Sequence, residues 1–152
     1  MSRAFVNEDA FVDDVPDRPV SGHPNHVTEQ GLALIDLALN AARRAYGEAQ
    51  AAGDRAALAS AGRDLRYWSA RRASAQIVPT APCTGSVQFG NAVTIVRNDG
   101  REQTFRLVGE DEADPVKGTI SHVSPLARAL IGKSVGDTIR AGREDAEIVT
   151  IE

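Results

Sequence analysis

The sequence predicts an α+β protein: an N-terminal antiparallel coiled-coil hairpin, then a small antiparallel sheet carrying one short helix. Three observations carry this. Apolar residues recur at alternating steps of three and four from Leu32 to Ala75, interrupted once at Gly53-Asp54. Beyond Pro79 and Pro82 the pattern changes to short β-branched runs, two of them separated by Asn98-Asp99-Gly100. Ser124-Pro125 then supplies a capping serine followed by a proline suited to the first helical position.

Residues 1–26 hold Pro16, Pro19 and Pro24 among acids and small polar residues. Proline removes a donor and biases its predecessor away from helix, so this stretch is expected to be an extended or disordered arm. Phe5, Val6, Phe11 and Val12 are its sizeable apolar groups and could pin it to the body.

Residues 27–78 make the hairpin. Thr28 is the expected N-cap of a first helix whose seam is Leu32, Ile35, Leu39, Ala42, Tyr46 and Ala49. Gly53 ends it and Asp54 caps a second, with the seam Leu58, Ala61, Leu65, Trp68, Arg72 and Ala75. The short turn favours pairing within one chain, hence a monomer. Each helix of about 23 residues would be about 35 Å long. Alanines thin the tip, while leucines and Trp68, expected in the core, thicken the base.

Residues 83–152 make the second domain. Strands are expected around Val87–Ile95, Phe105–Val108, Ile139 and Ile148–Ile151, with Leu126, Ala129 and Leu130 on the inner face of the helix. Gly132, Gly136 and Gly142 serve turns and caps. No strand–glycine loop–helix pattern accompanies them, so phosphate binding is not indicated.

Charge narrows the function. The net −4 divides into −3 over residues 1–26, +2 over 27–81 and −3 over 82–152. No basic face of the kind needed for independent duplex binding results, so sequence-specific DNA recognition is not expected. No apolar run approaches the ~20 residues of a membrane span. The first residues are acidic rather than a basic-then-apolar leader. Cys83 is the one cysteine, which excludes an internal disulfide and a cysteine-built metal site and fits a cytoplasmic setting.

Within residues 86–152 the runs VQFGNAVTIV, VGEDEAD and GTISHVSPLARALIGKSVGDTI occur in the order and spacing of the C-terminal domain of the Gre transcript-cleavage factors. The matching positions include Phe89-Gly90, Val108-Gly109, Glu112-Ala113-Asp114, Ile120-Ser121, Ser124-Pro125, Ala127 to Leu130, Gly132-Lys133 and Gly136-Asp137. The chain thus resembles that family, whose C-terminal domain is similar in fold to FKBP-type prolyl isomerases and accompanies a coiled-coil hairpin. The resemblance implies docking on the secondary-channel rim of core RNA polymerase, through Ile120, Ser121, His122, Val123, Ser124, Pro125, Ala127 and Arg128. It also implies a hairpin that enters the channel and offers two acids to a second magnesium beside the catalytic one. Carboxylates suit that task because they hold a hard cation and let it activate a water. The enzyme is the polymerase; the factor lends ligands or blocks the active centre, and holds no cofactor or metal of its own.

The tip departs from the family pattern. Gly53-Asp54-Arg55-Ala56-Ala57-Leu58 keeps Gly53 and Asp54 but has Ala57 where the family carries a glutamate. Glu48 is the other nearby acid, and the second helix is shorter than the family's. The leading expectation is therefore a polymerase-binding regulator that cleaves poorly. The alternatives are a cleavage factor using Asp54 and Glu48, with Mg2+ of the polymerase, and a regulator of nucleoside diphosphate kinase of the Rnk type. Prolyl isomerisation is disfavoured because only Phe89 and Phe105 could line an aromatic pocket.

Each candidate also has a plain structural role. Asp54 is the natural N-cap and Glu48 a solvated helix residue. Arg63, Arg66, Arg71 and Arg72 could face channel acids or nucleic acid, or simply flank a coiled coil. His23, His26 and His122 lack metal-ligand spacing; the first two read as arm residues and the third as a loop residue. Glu110, Asp111, Glu112 and Asp114 read as a solvated loop capping the sheet.

Overall fold

The structure is a computed structural model and describes residues 15–152. The apolar residues proposed to pin the arm (Phe5, Val6, Phe11 and Val12) lie outside the described residues. Two compact units result, one holding residues 35–74 with the segment 15–22, the other holding 23–34 and 75–152.

The hairpin helices are α1, Glu29–Ala52, and α2, Arg55–Ser74. Thr28 caps α1, its Oγ1 accepting from Gly31 N at 2.9 Å. Gly53, at φ 66°, takes the left-handed conformation that ends α1. Asp54 then caps α2, its Oδ1 accepting from Ala57 N at 3.0 Å. In the first seam Ile35, Leu39, Ala42 and Ala49 are buried, as a three–four repeat requires. Arg72 Nε donates to Asp36 Oδ1 at 2.6 Å, tying the helices together on the flank.

The second seam differs from expectation at its end. Arg71, and not Arg72, is buried, at 1% exposure. A helix turns 3.6 residues at a time, so after Ala61, Leu65 and Trp68 the inner position falls between 71 and 72; Arg71 occupies it, while Arg72 stays on the flank paired with Asp36. Trp68 is half-buried, edge-on to Tyr67 with centroids 4.9 Å apart.

The larger sheet contains β3 (Ala92–Arg97), β4 (Glu102–Val108), β5 (Thr119–Ser121), β6 (Thr138–Ala141) and β7 (Glu144–Ile151), in the order β5-β4-β3-β7-β6. The β3–β4 hairpin closes at Asn98-Asp99-Gly100, with Arg97 N bonded to Arg101 O at 2.9 Å. Its register opposes Ile95 to Gln103. The sheet is mixed rather than wholly antiparallel, because β5 runs parallel to β4. Three residues without a clear alternation carry too little pattern to be read as a strand. The Val87–Phe89 run is not part of the sheet; Val87 instead exchanges backbone bonds with Gly132 and Lys133. One short helix, α3 (Pro125–Leu130), packs against β6. The core holds Val87, Val93, Ile95, Leu107, Ile120, Ala127, Leu130, Ile139, Ile148 and Ile151.

Two very short strands, β1 (His26–Val27) and β2 (Gln76–Ile77), pair in parallel within this second unit. His26 is therefore a sheet-forming residue and not part of an arm. Its approach to the larger sheet is close: a Cβ on Gly109 would meet His26 O at 2.6 Å, and one on Gly31 would meet Glu112 Oε2 at 2.6 Å. Glu112 also accepts from Thr28 Oγ1 at 2.6 Å, so the acidic loop latches the start of α1.

Two outcomes follow from this packing. Leu39, 5% exposed, should lose about 2–4 kcal/mol on Leu39→Ala, and half-buried Leu65 distinctly less, compared by urea denaturation. Gly109→Ala should cost about 1–3 kcal/mol, since the obstructing atom is backbone and cannot rotate away; an unchanged urea midpoint would refute the close approach.

Candidate functional site

The stretch 119–130 is built from three local devices. Parallel pairing of Leu107 with Ile120 fixes β5. Ser121 then turns the chain, its backbone oxygen accepting from Ser124 N at 2.9 Å and its Oγ from Val123 N at 3.2 Å. Ser124 Oγ accepts from Ala127 N at 3.3 Å, and Pro125 occupies the position where a missing N–H costs nothing. The expected cap is present, and the loop leading to it is tied by its own hydrogen bonds.

These residues divide by exposure. Ile120 and Ala127 belong to the core, and His122 is buried at 9% exposure. They position the surface but present no side chain to a partner. Ser121, Val123 and Ser124 are half-exposed, while Pro125 and Arg128 are open to solvent. The side chains that these residues present to solvent are thus those of Ser121, Val123, Ser124, Pro125 and Arg128.

His122 is not a loop residue of the ordinary kind. Its ring lies 5.3 Å from His26 and 5.3 Å from Phe89, and His26 stands edge-on to Phe89 at 6.0 Å. His122 N bonds Val108 O at 2.9 Å, and its Nε2 is buried with no hydrogen-bond partner. His23 joins the same unit, its Nε2 accepting from Arg128 Nη2 at 3.4 Å, so it too is engaged with the domain rather than with an arm. Sequence spacing hid this cluster, because residues 26, 89 and 122 meet only through the β1 docking. Phe89 and His122 line a cavity of ≈630 Å³ with His26, Pro79 and Ile131. Phe105 is not among its lining residues and instead packs against the core.

The tip places its acids in separate roles. Asp54 is exposed and uses Oδ1 as the α2 cap. Glu48 is exposed on α1, a turn before its end. Among the described residues no three His, Cys, Asp or Glu side chains gather to hold a metal ion. Of the four arginines, Arg66 and Arg72 are exposed and Arg63 is half-buried. Arg71, expected to face outward, is interior and is withdrawn from any surface role. No described helix is long and apolar enough to cross a membrane.

Burial, followed by the neighbouring His26, pushes the His122 pKa below its ordinary 6.5, with Glu110 acting the other way. The neutral form is thus favoured in the fold. Stability is complete above about pH 6.5 and falls as pH drops below that, where the unfolded chain takes up the proton first. The urea midpoint should decline from about pH 7.5 to about pH 5.5, and His122→Gln should flatten that decline. Parallel slopes for the two proteins would refute the assignment.

Residues 81–152 match the family model described as the C-terminal domain of transcription elongation factor GreA/GreB. Transcription elongation factor GreA of Methylobacterium nodulans is 41% identical over 128 residues, covering 80% of this chain and 76% of that protein. GreB of Neisseria meningitidis serogroup B is 41% identical over 96 residues, 59% of each chain. The crystal structure of GreA factor homolog 1 from Thermus thermophilus aligns over 86% of this chain and 99% of its own, with 21% identity and a TM-score of 0.42. The breadth of the Methylobacterium match, together with the C-terminal domain match, establishes that the chain belongs to the GreA/GreB family of transcription elongation factors.

Proposed function

We propose that this protein is a regulator that binds core RNA polymerase at the secondary-channel rim, occupies the channel with its hairpin, and modulates elongation or initiation without efficient transcript cleavage. It acts as a monomer in the cytoplasm and brings no cofactor of its own. Family membership supports the partner. The exposed part of the capped turn, Ser121, Val123, Ser124, Pro125 and Arg128, supplies a preorganised docking surface, which lowers the ordering cost of binding.

The observation that carries the cleavage half of the proposal is the Asp54 cap. One oxygen of the carboxylate accepts from Ala57 N, and the residue at that third helical position is an alanine with no acid to add. A second magnesium needs several oxygen ligands in a charged cluster. Arg55, next in the chain, adds a positive charge where a cation would have to sit. Steric occupation of a channel needs none of these ligands.

The test uses backtracked elongation complexes, scoring RNA 3′ cleavage and pause bypass with wild type and the Asp54→Ala, Glu48→Ala double variant. Binding and altered pausing with little cleavage, the same for both proteins, is the expected result. Strong cleavage by the wild type that vanishes in the double variant would overturn the proposal and identify Asp54 and Glu48 as a working acid pair.

A further inference from the structure

The segment Val15–Val20 carries no regular secondary structure, yet it is held at definite points on α2. Asp17 Oδ1 accepts from Arg66 Nε at 2.7 Å. Arg18 Nη1 donates to Asp64 Oδ1 at 3.3 Å, and its guanidinium carbon lies 3.8 Å from the Tyr67 ring centroid and 5.4 Å from that of Trp68. Val15 lines a hollow of ≈200 Å³ together with Tyr46, Leu58, Gly62 and Arg66. Pro16 and Pro19 bracket the acid–base pair and keep it extended.

These contacts occupy Arg66 and the Tyr67 ring on one face of α2. Arg66 is supplied with a carboxylate, and the face of Tyr67 with a planar cation. The hydrogen bonds and the cation–ring contact described are made by side chains, and the Asp17–Arg66 pair remains 67% and 58% exposed, so it is open to salt and to competing ions. A segment held in this way can leave as a unit without breaking any sheet or helix.

We propose that Val15–Arg18 is an autoinhibitory strap: it covers the Arg66–Tyr67–Trp68 face of the hairpin and must be displaced before that face can engage the polymerase. This role rests on the polymerase-binding reading above. The strap's own acid–base pair shows the chemistry of the competitor, a protein surface presenting a carboxylate to Arg66 and a cation or planar group to Tyr67.

Trp68 is the one tryptophan in the chain and reports directly on the cover. Acrylamide quenching of the full-length protein is compared for wild type, the Asp17→Asn, Arg18→Ala double variant, and the swap Asp17→Arg with Arg66→Asp. At low salt Trp68 should be about twofold more quenchable in the double variant, with the wild type converging on it near 1 M salt, where the Debye length is ~3 Å. The charge swap should restore protection, which loss of fold would not do. Core polymerase is then titrated with wild type and the double variant. The double variant should bind on the order of fivefold more tightly, the scale of a few exposed polar contacts. Equal quenching in all three chains, or equal polymerase affinity in wild type and double variant, overturns the strap. Failure of both chains to bind polymerase rejects the polymerase reading, and the inhibitory role with it.

Discussion

The closest constraint in the molecule is the seat of residues 23–34 on the sheet domain. Val27 is buried, Gly109 admits the His26 carbonyl to a distance no side chain would permit, and Glu112 receives Thr28 where α1 begins. Because Oγ1 of Thr28 both caps α1 and donates to Glu112, one hydroxyl couples helix initiation to the acidic loop. The same seat creates the two-stranded β1–β2 pairing and carries His26 onto Phe89 and His122. A residue that looks like linker in the sequence thus completes the domain that bears the Ser124-capped turn.

The Ser124 turn and the hairpin tip show one physical device used with different consequences. At Ser124 a hydroxyl caps α3 and leaves neighbouring groups free to present a surface. At Asp54 a carboxylate caps α2, so one of its oxygens is committed to a backbone N–H. A helix start satisfies its exposed donors with whatever acceptor lies at hand.

Electrostatics elsewhere follows exposure. The hairpin's flank pairs Arg72–Asp36, Arg18–Asp64 and Arg66–Asp17 remain partly or well exposed and contribute little individually. His122 is the contrasting case, a titratable ring placed among other rings and shielded from water, where loss of hydration dominates. The histidine therefore links proton concentration to the stability of the sheet-bearing unit, while the surface pairs respond mainly to salt.

Much was legible from residues alone, for definite reasons. The three–four seam, the Gly53 stop, the caps at Thr28, Asp54 and Ser124, and the Asp99-Gly100 hairpin are local devices, each determined by the covalent character of a few adjacent residues. They located both helices, the β3–β4 turn and α3, and the ordered motifs in residues 86–152 carried the family resemblance. Tertiary structure alone decided what depends on distant residues meeting. Strand β5 exists because β4 offers it a parallel edge, and three residues have no periodicity to announce that. Arg71 rather than Arg72 is interior because a 3.6-residue turn does not stay on a heptad seam, and neighbours choose between adjacent positions. His26 joins Phe89 and His122 because Gly109, far from it in the chain, lets the His26 carbonyl come closer than any Cβ would allow.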